Sequence, residues 1–212
     1  MTTTELFDQH VAEYEEWFRQ YPFVFRSEIE AVREMLPEGE HLSGIEIGLG
    51  TGQYAKALGI KEGIEPSTPM RVVANKRGIE TMNAKAEELP YGDMRFDFVL
   101  MVFCVSYLKD LGAAFDEAFR VLKRNGTLVV GFVDRDSVIG QEYEARKHES
   151  TFYKHANFYP VTRISDELTL AGFRGLEFCQ TLFGPLDSIK EQQPVKPGFG
   201  EGSFVAVKAV KK

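Results

Sequence analysis

Glu46 stands two residues ahead of three glycines at every second position, Gly48, Gly50 and Gly52, and an apolar run leads into them. A glycine-rich turn between strand and helix lets the backbone approach a ligand closely and presents free amide groups at a helix amino end, which suits nucleotides in general. The details narrow the ligand. A dinucleotide fingerprint starting at Gly48 requires glycine at 53, where this chain has Gln53, and the Gly-Lys-Ser/Thr of a phosphate loop is missing. A carboxylate just before the turn repels pyrophosphate, whereas it can hold an ammonium group or order a water. Glu65 follows nineteen residues after Glu46, in Gly63-Ile64-Glu65-Pro66-Ser67, and a strand-end carboxylate there can accept hydrogen bonds from both ribose hydroxyls. The spacing of the two acids would suit a nicotinamide dinucleotide equally. Together with the missing glycine at 53, the pattern predicts an adenosine-like, cationic ligand.

Such residues need strand ends and helix starts to hold them. Phe7, Val11, Tyr14 and Phe18 recur at helical spacing, and Phe25, Ile29, Val32 and Leu36 do so again beyond Pro22. The period then changes. Strands are predicted at 44–48, 63–65, 79–82, 96–102 and 127–133, alternating with helices at 69–76, capped by Ser67, and 113–123, ended by Asn125-Gly126. Alternation of this kind predicts parallel strands joined by helical crossovers, an α/β layered sheet. Beyond residue 140 the polar, aromatic-rich stretch 141–160 reads as mostly helical, a cover over the sheet edge. A helix at 162–171 and two late strands, 175–183 and 203–210, follow.

The 212 residues suffice for one full core, and no linker or repeat divides them, so a single domain over 1–212 is expected. Within it, 1–37 form an amino-terminal helical cap and 141–162 a lid. An apolar fraction of 43% with 27% charged residues excludes a disordered chain, and no apolar run approaches the ~20 residues of a membrane span. The two isolated cysteines and the acidic, non-secretory amino terminus lead us to expect a cytoplasmic protein without disulfides or a metal site. A net charge of -7 argues against nucleic acid as a partner. Lys76-Arg77 and Lys211-Lys212 read as solvated charge.

The ordered set E-I-G-L-G-T-G at 46–52, I-E-P-S at 64–67, A-E-E-L-P-Y at 86–91, F-D-F-V at 96–99 and F-R-V-L-K-R-N-G-T-L at 119–128 resembles the class I S-adenosylmethionine-dependent methyltransferases, in particular the small-molecule "type 11" group. The likeness covers roughly residues 5 to 175. It implies a Rossmann-like seven-stranded sheet, mostly parallel with the last strand antiparallel, and helices on both faces. It further implies that Glu46 sits near the methionine ammonium, that Gly48, Gly50 and Gly52 face the methionine and ribose, and that Glu65, with Pro66 beside it, takes the ribose. By the same likeness Ala86 and Glu87 line the adenine, Phe103 and Cys104 pass close to the sulfonium, and the first helix, through Tyr14, folds over the cofactor. One departure stands out: many relatives carry an aspartate where this chain has Lys85.

The expected reaction is direct displacement of the methyl group onto a small-molecule acceptor. Cys104 reads as a small packing residue, since methyl transfer from a sulfonium needs no covalent enzyme intermediate. Ser106 and Tyr107, just after the fourth strand, are the candidates nearest the acceptor, while His148 and His155 in the lid are candidate bases. Tyr14 and Trp17 equally suit the buried stripe of a helix. A monomer or homodimer is expected. The rival readings are a catalytically inactive cofactor-binding regulator and a nucleotide-binding oxidoreductase.

Overall fold

The computed structural model describes residues 2–212. Eight strands form one sheet: β1 (Gly44–Ile47), β2 (Glu62–Ile64), β3 (Glu80–Met82), β4 (Phe96–Val102), β5 (Leu122–Val133), β6 (Arg174–Thr181), β7 (Lys196–Pro197) and β8 (Phe204–Val210). Their order is β3-β2-β1-β4-β5-β8-β6-β7. The first five pair in parallel, because the connections after β1, β2 and β4 run through crossover helices α4 (Gln53–Leu58), α5 (Thr68–Lys76) and α6 (Leu111–Val121). β8 needs no crossover from β6 and inserts antiparallel between β5 and β6. The eighth strand, beyond the seven expected, is the two-residue β7 on the edge of β6.

β4 shows why the sheet is covered on both sides. Apart from Asp97 near its start, which pairs with Lys123, its residues are apolar regardless of facing, and successive side chains must point to opposite faces. Val99 and Met101 enter one apolar layer with Phe115 of α6 and with Ile164 and Leu168 of α8 (Val161–Leu170). Leu100 and Val102 enter the other, with Val24, Ile29 and Val32 of α3 (Pro22–Met35). Each such fully buried side chain contributes about 1.5–3 kcal/mol.

The amino-terminal stripe from Phe7 to Phe18 is not one helix. It divides at His10 into α1 (Thr3–Gln9), closed by a Thr2–Glu5 capping box, and α2 (Val11–Gln20). The stretch 141–160 is also less helical than its composition predicts. α7 (Val138–Ala145), capped by Ser137, ends at Arg146, and two single 3₁₀ turns follow at Lys147–Glu149 and Tyr153–His155. Two basic residues expected in solvent are structural instead. Arg77 pairs with Glu15 of α2 and donates to the Thr51 carbonyl, and Lys211 Nζ donates to the carbonyls of Phe119 and Leu122 at 2.6 and 2.8 Å.

Candidate active site

β2 and β4 leave β1 on opposite sides, so the sheet order reverses there, and a crevice opens beyond the carboxyl ends of these strands. The glycine turn fills that place. Gly48, Gly50 and Gly52 all take positive φ, at +69°, +55° and +78°. A β-carbon on Gly48 would stand 2.5 Å from Cys104 Cβ, so the turn lies directly against the end of β4. One on Gly50 would meet the Tyr14 hydroxyl at 3.0 Å. Gly52 does different work from that implied by the resemblance. It caps α4, faces Ile79 at 2.4 Å from an added β-carbon, and stays out of the cavity wall.

Glu65 is tied to this turn. Its Oε2 accepts from the Gly50 N–H at 3.1 Å and its Oε1 from the Ser67 N–H at 2.8 Å, while the side chain lines the cavity only 7% exposed. Burial pushes its carboxyl up, and the two backbone N–H groups partly oppose this. Glu46 lies deeper. Its Oε2 has no hydrogen-bond partner, and burial, partly offset by the Ala55 N–H and reinforced by Glu65, raises the carboxyl to about 8. Two buried acids, one with an orphaned oxygen, fit a ligand that offers hydroxyl donors to one and a positive nitrogen to the other.

The cavity beside them measures about 740 Å³, within the range of small-molecule sites. Tyr14, Pro66, Ala86, Glu87, Phe103, Cys104, Ser106 and Tyr107 all line it. Phe103 holds the left-handed conformation (φ 60°, ψ -21°), costly for a non-glycine residue, and this turns the chain sharply from β4 into the 3₁₀ turn Cys104–Tyr107. The Cys104 thiol is pushed up first by burial and then by Glu46 and Glu65, which keeps it protonated and suits a packing role. Burial likewise holds the Tyr107 phenol protonated, and burial with Glu46 and Glu65 does so for Tyr14. Glu87 spends Oε1 on the Lys109 N–H at 2.9 Å, and Lys85 reaches the same wall.

The two lid histidines are not in this wall. His148 is 79% exposed beside Glu149, and His155 is exposed as well, because the 3₁₀ turns direct Phe152 and Tyr153 inward and the histidines outward. Neither is placed to act as a base. Three features escape sequence reading. Glu15 of α2 accepts from Thr51 Oγ1 at 2.5 Å, from Gln53 and from Arg77, and so bolts the amino-terminal cap onto the glycine turn. Phe152 stacks on Phe7 with ring centroids 5.5 Å apart, joining the two cover segments. Glu28 lines the cavity from α3, and its signal was present: an acid on the apolar stripe, three residues after Phe25 and four before Val32.

A Rossmann-like α/β sheet with a glycine turn at its switch point and a buried acid at the end of β2 defines a protein that binds a nucleoside-containing cofactor. The family model "Methyltransferase domain" matches residues 45–130. An uncharacterised protein of Methanocaldococcus jannaschii is 41% identical over 97% of this chain and 98% of its own length. A ubiquinone biosynthesis O-methyltransferase of Azorhizobium caulinodans is 25% identical over 67% of this chain and 62% of its own. Among solved structures, that of an S-adenosylmethionine-dependent methyltransferase from Thermotoga maritima, "possible histamine N-methyltransferase", superposes with a TM-score of 0.95 at 44% identity, covering 99% of this chain and 100% of that one. The chain belongs to the class I S-adenosylmethionine-dependent methyltransferases of the type 11 group, and its cofactor is S-adenosylmethionine. Among the described residues no helix is long and apolar enough to cross a membrane.

Proposed function

We propose that the enzyme methylates a small-molecule acceptor by direct displacement, beneath a lid made by α1, α2 and residues 141–162. The observation that carries this reading is the acid pair under the glycine turn, with Glu46 Oε2 buried and unpartnered and Glu65 opening into the cavity. S-adenosylmethionine supplies a methyl group already activated by its positive sulfur. The chain's task is therefore to orient the two reactants and exclude water. Glu65 holds the ribose hydroxyls and Glu46 the ammonium, while Gly48 and Gly50 leave room for both. Pro66 and Ala86 flank the adenosine, Glu87 keeps one carboxyl oxygen for it, and Phe103 and Cys104 pack at the reactive edge.

Ser106 and Tyr107 are the polar side chains next in line along that wall, and they orient the acceptor by hydrogen bonds. Tyr107, protonated, is a donor rather than a base. The Phe7–Phe152 stack, with Tyr107 edge-on to Phe7 at 5.0 Å, closes the cover and keeps the site dry. The cavity volume supports a small acceptor, as does the similarity to a possible histamine N-methyltransferase and to a ubiquinone biosynthesis O-methyltransferase. Calorimetric titration with S-adenosylhomocysteine and with NAD, followed by a donor-consumption screen over metabolite pools, tests the reading. Binding of the first ligand alone and turnover in at least one pool are expected. Binding of NAD without S-adenosylhomocysteine would overturn it.

A further inference from the structure

Between α3 and α7 the cavity holds a carboxyl group that the cofactor does not account for. Glu28 is 1% exposed yet lines the cavity, and its Oε2 accepts from the Tyr54 hydroxyl at 2.5 Å. Among the described residues no cation pairs with it. The titratable groups that feel its charge are Tyr54 from α4, Tyr143 from α7 and Tyr153 from the second 3₁₀ turn, and burial keeps all three phenols protonated. Arg146, at the same cavity, is turned to Glu149 and 76% exposed. A buried carboxyl with one neutral donor is unfavourable as an anion until a positive partner arrives.

The surroundings suit such a partner. Tyr54, which holds the carboxyl group, meets Phe18 at 6.2 Å and Phe103 at 6.0 Å between centroids, and Tyr143, which feels its charge, meets Tyr153 at 4.2 Å, so this part of the cavity is lined with aromatic rings. Ring faces attract cations, most strongly where water is excluded. Acids outnumber bases eight to three among the side chains lining the cavity, which gives it a negative potential. Tyr54 links Glu28 to the reactive edge, since its hydroxyl bonds the carboxyl group and its ring meets that of Phe103, the residue just after β4, at 6.0 Å.

We propose that this part of the cavity is the acceptor subsite and takes an organic cation, an amine-bearing molecule whose ammonium nitrogen pairs with the Glu28 carboxylate among the rings of Phe18, Tyr54 and Tyr143. The inference rests on the methyltransferase reading and adds its substrate class. Free Glu28, raised to about 8 by burial and only partly lowered by the Tyr54 hydroxyl, is protonated at neutral pH. When the ammonium enters, the carboxyl proton leaves to solvent and an ion pair takes its place.

Isothermal titration at pH 7 into protein saturated with S-adenosylhomocysteine tests this, with 2-phenylethylamine and 3-phenylpropylamine as probes and the matching alcohols as neutral counterparts. The amines should bind ~10-fold or more tightly than the alcohols, as a hydrogen bond to a charged group implies. Repeating the titration in buffers of different ionisation enthalpy should reveal about one proton released per amine. Glu28→Gln, which keeps an acceptor for Tyr54, should lower amine affinity ~10-fold or more and leave S-adenosylhomocysteine affinity unchanged. Amines that bind no better than alcohols, amines that do not bind at all, or an unaltered amine affinity in Glu28→Gln each overturn the subsite. If that variant does not fold, the amine–alcohol contrast and the proton release of the unmodified protein decide alone. Failure of S-adenosylhomocysteine itself to bind would instead overturn the methyltransferase reading.

Discussion

Glu46→Gln probes the deepest acid of the site through the pH dependence of folding. Glu46 is raised from 4.5 to about 8 by burial, with an unpartnered Oε2, so the folded protein keeps its proton where the unfolded chain has lost it. The sign follows. Below about 4.5 both states are protonated and the acid is neutral toward stability, and between 4.5 and about 8 the unfolded state binds fewer protons, so stability falls as pH rises. The loss is roughly tenfold in the folding equilibrium per pH unit, and it levels off above about 8. Between pH 5.5 and 7.5 this amounts to about 3 kcal/mol, or on the order of 5–10 °C in melting temperature for a chain of this size. Gln at 46 cannot ionise, so the difference between variant and unmodified protein should grow in its favour by that amount over the same interval. Thermal denaturation of both proteins at half-unit pH steps measures it. Saturating S-adenosylhomocysteine should remove the difference, because its ammonium holds the carboxylate charged. Parallel pH profiles of the two ligand-free proteins would refute the reasoning and return Glu46 to an ordinary, solvated carboxylate.

Other perturbations address the turn and the cover. Glu65→Ala removes the acceptor of the Gly50 and Ser67 N–H groups as well as the ribose contact, and S-adenosylhomocysteine affinity should fall ~10-fold or more by calorimetry; unchanged affinity in a folded variant would take Glu65 out of the site. Gly50→Val forces a branched side chain into positive φ and toward the Tyr14 hydroxyl, so binding should be lost, and normal binding would reduce the glycine stretch to a turn. Hydrogen exchange should show protection rising on S-adenosylhomocysteine binding in residues 7–21 and 141–160 as well as at 48–52, and protection confined to the glycine turn would refute the lid. Phe152→Ala, by deleting the stack on Phe7, should weaken that protection in both cover segments together; protection unchanged in 7–21 would show that the segments act separately.

What the sequence determined by itself is local. Positive φ at Gly48 and Gly50, the carboxylates at the ends of β1 and β2, and an apolar β4 covered on both faces are consequences of a few neighbouring residues, and each is legible from residue type and period alone. The late antiparallel strand was legible too, since it needs no crossover. Tertiary structure decided everything that depends on which faces meet across long stretches of chain. Arg77 reads as solvated charge until α2 delivers Glu15 to it, sixty-two residues away. His148 and His155 share a segment with Phe152 and Tyr153, and only the 3₁₀ turns, which composition does not encode, send the rings inward and the imidazoles to water. Glu28 sits on an apolar stripe in the sequence, where an acid looks like an exception. The packing of α3 beside α4 and α7 turns that exception into a carboxyl group facing the cavity, because burial without a charged partner is a property of the surrounding volume and not of the residue.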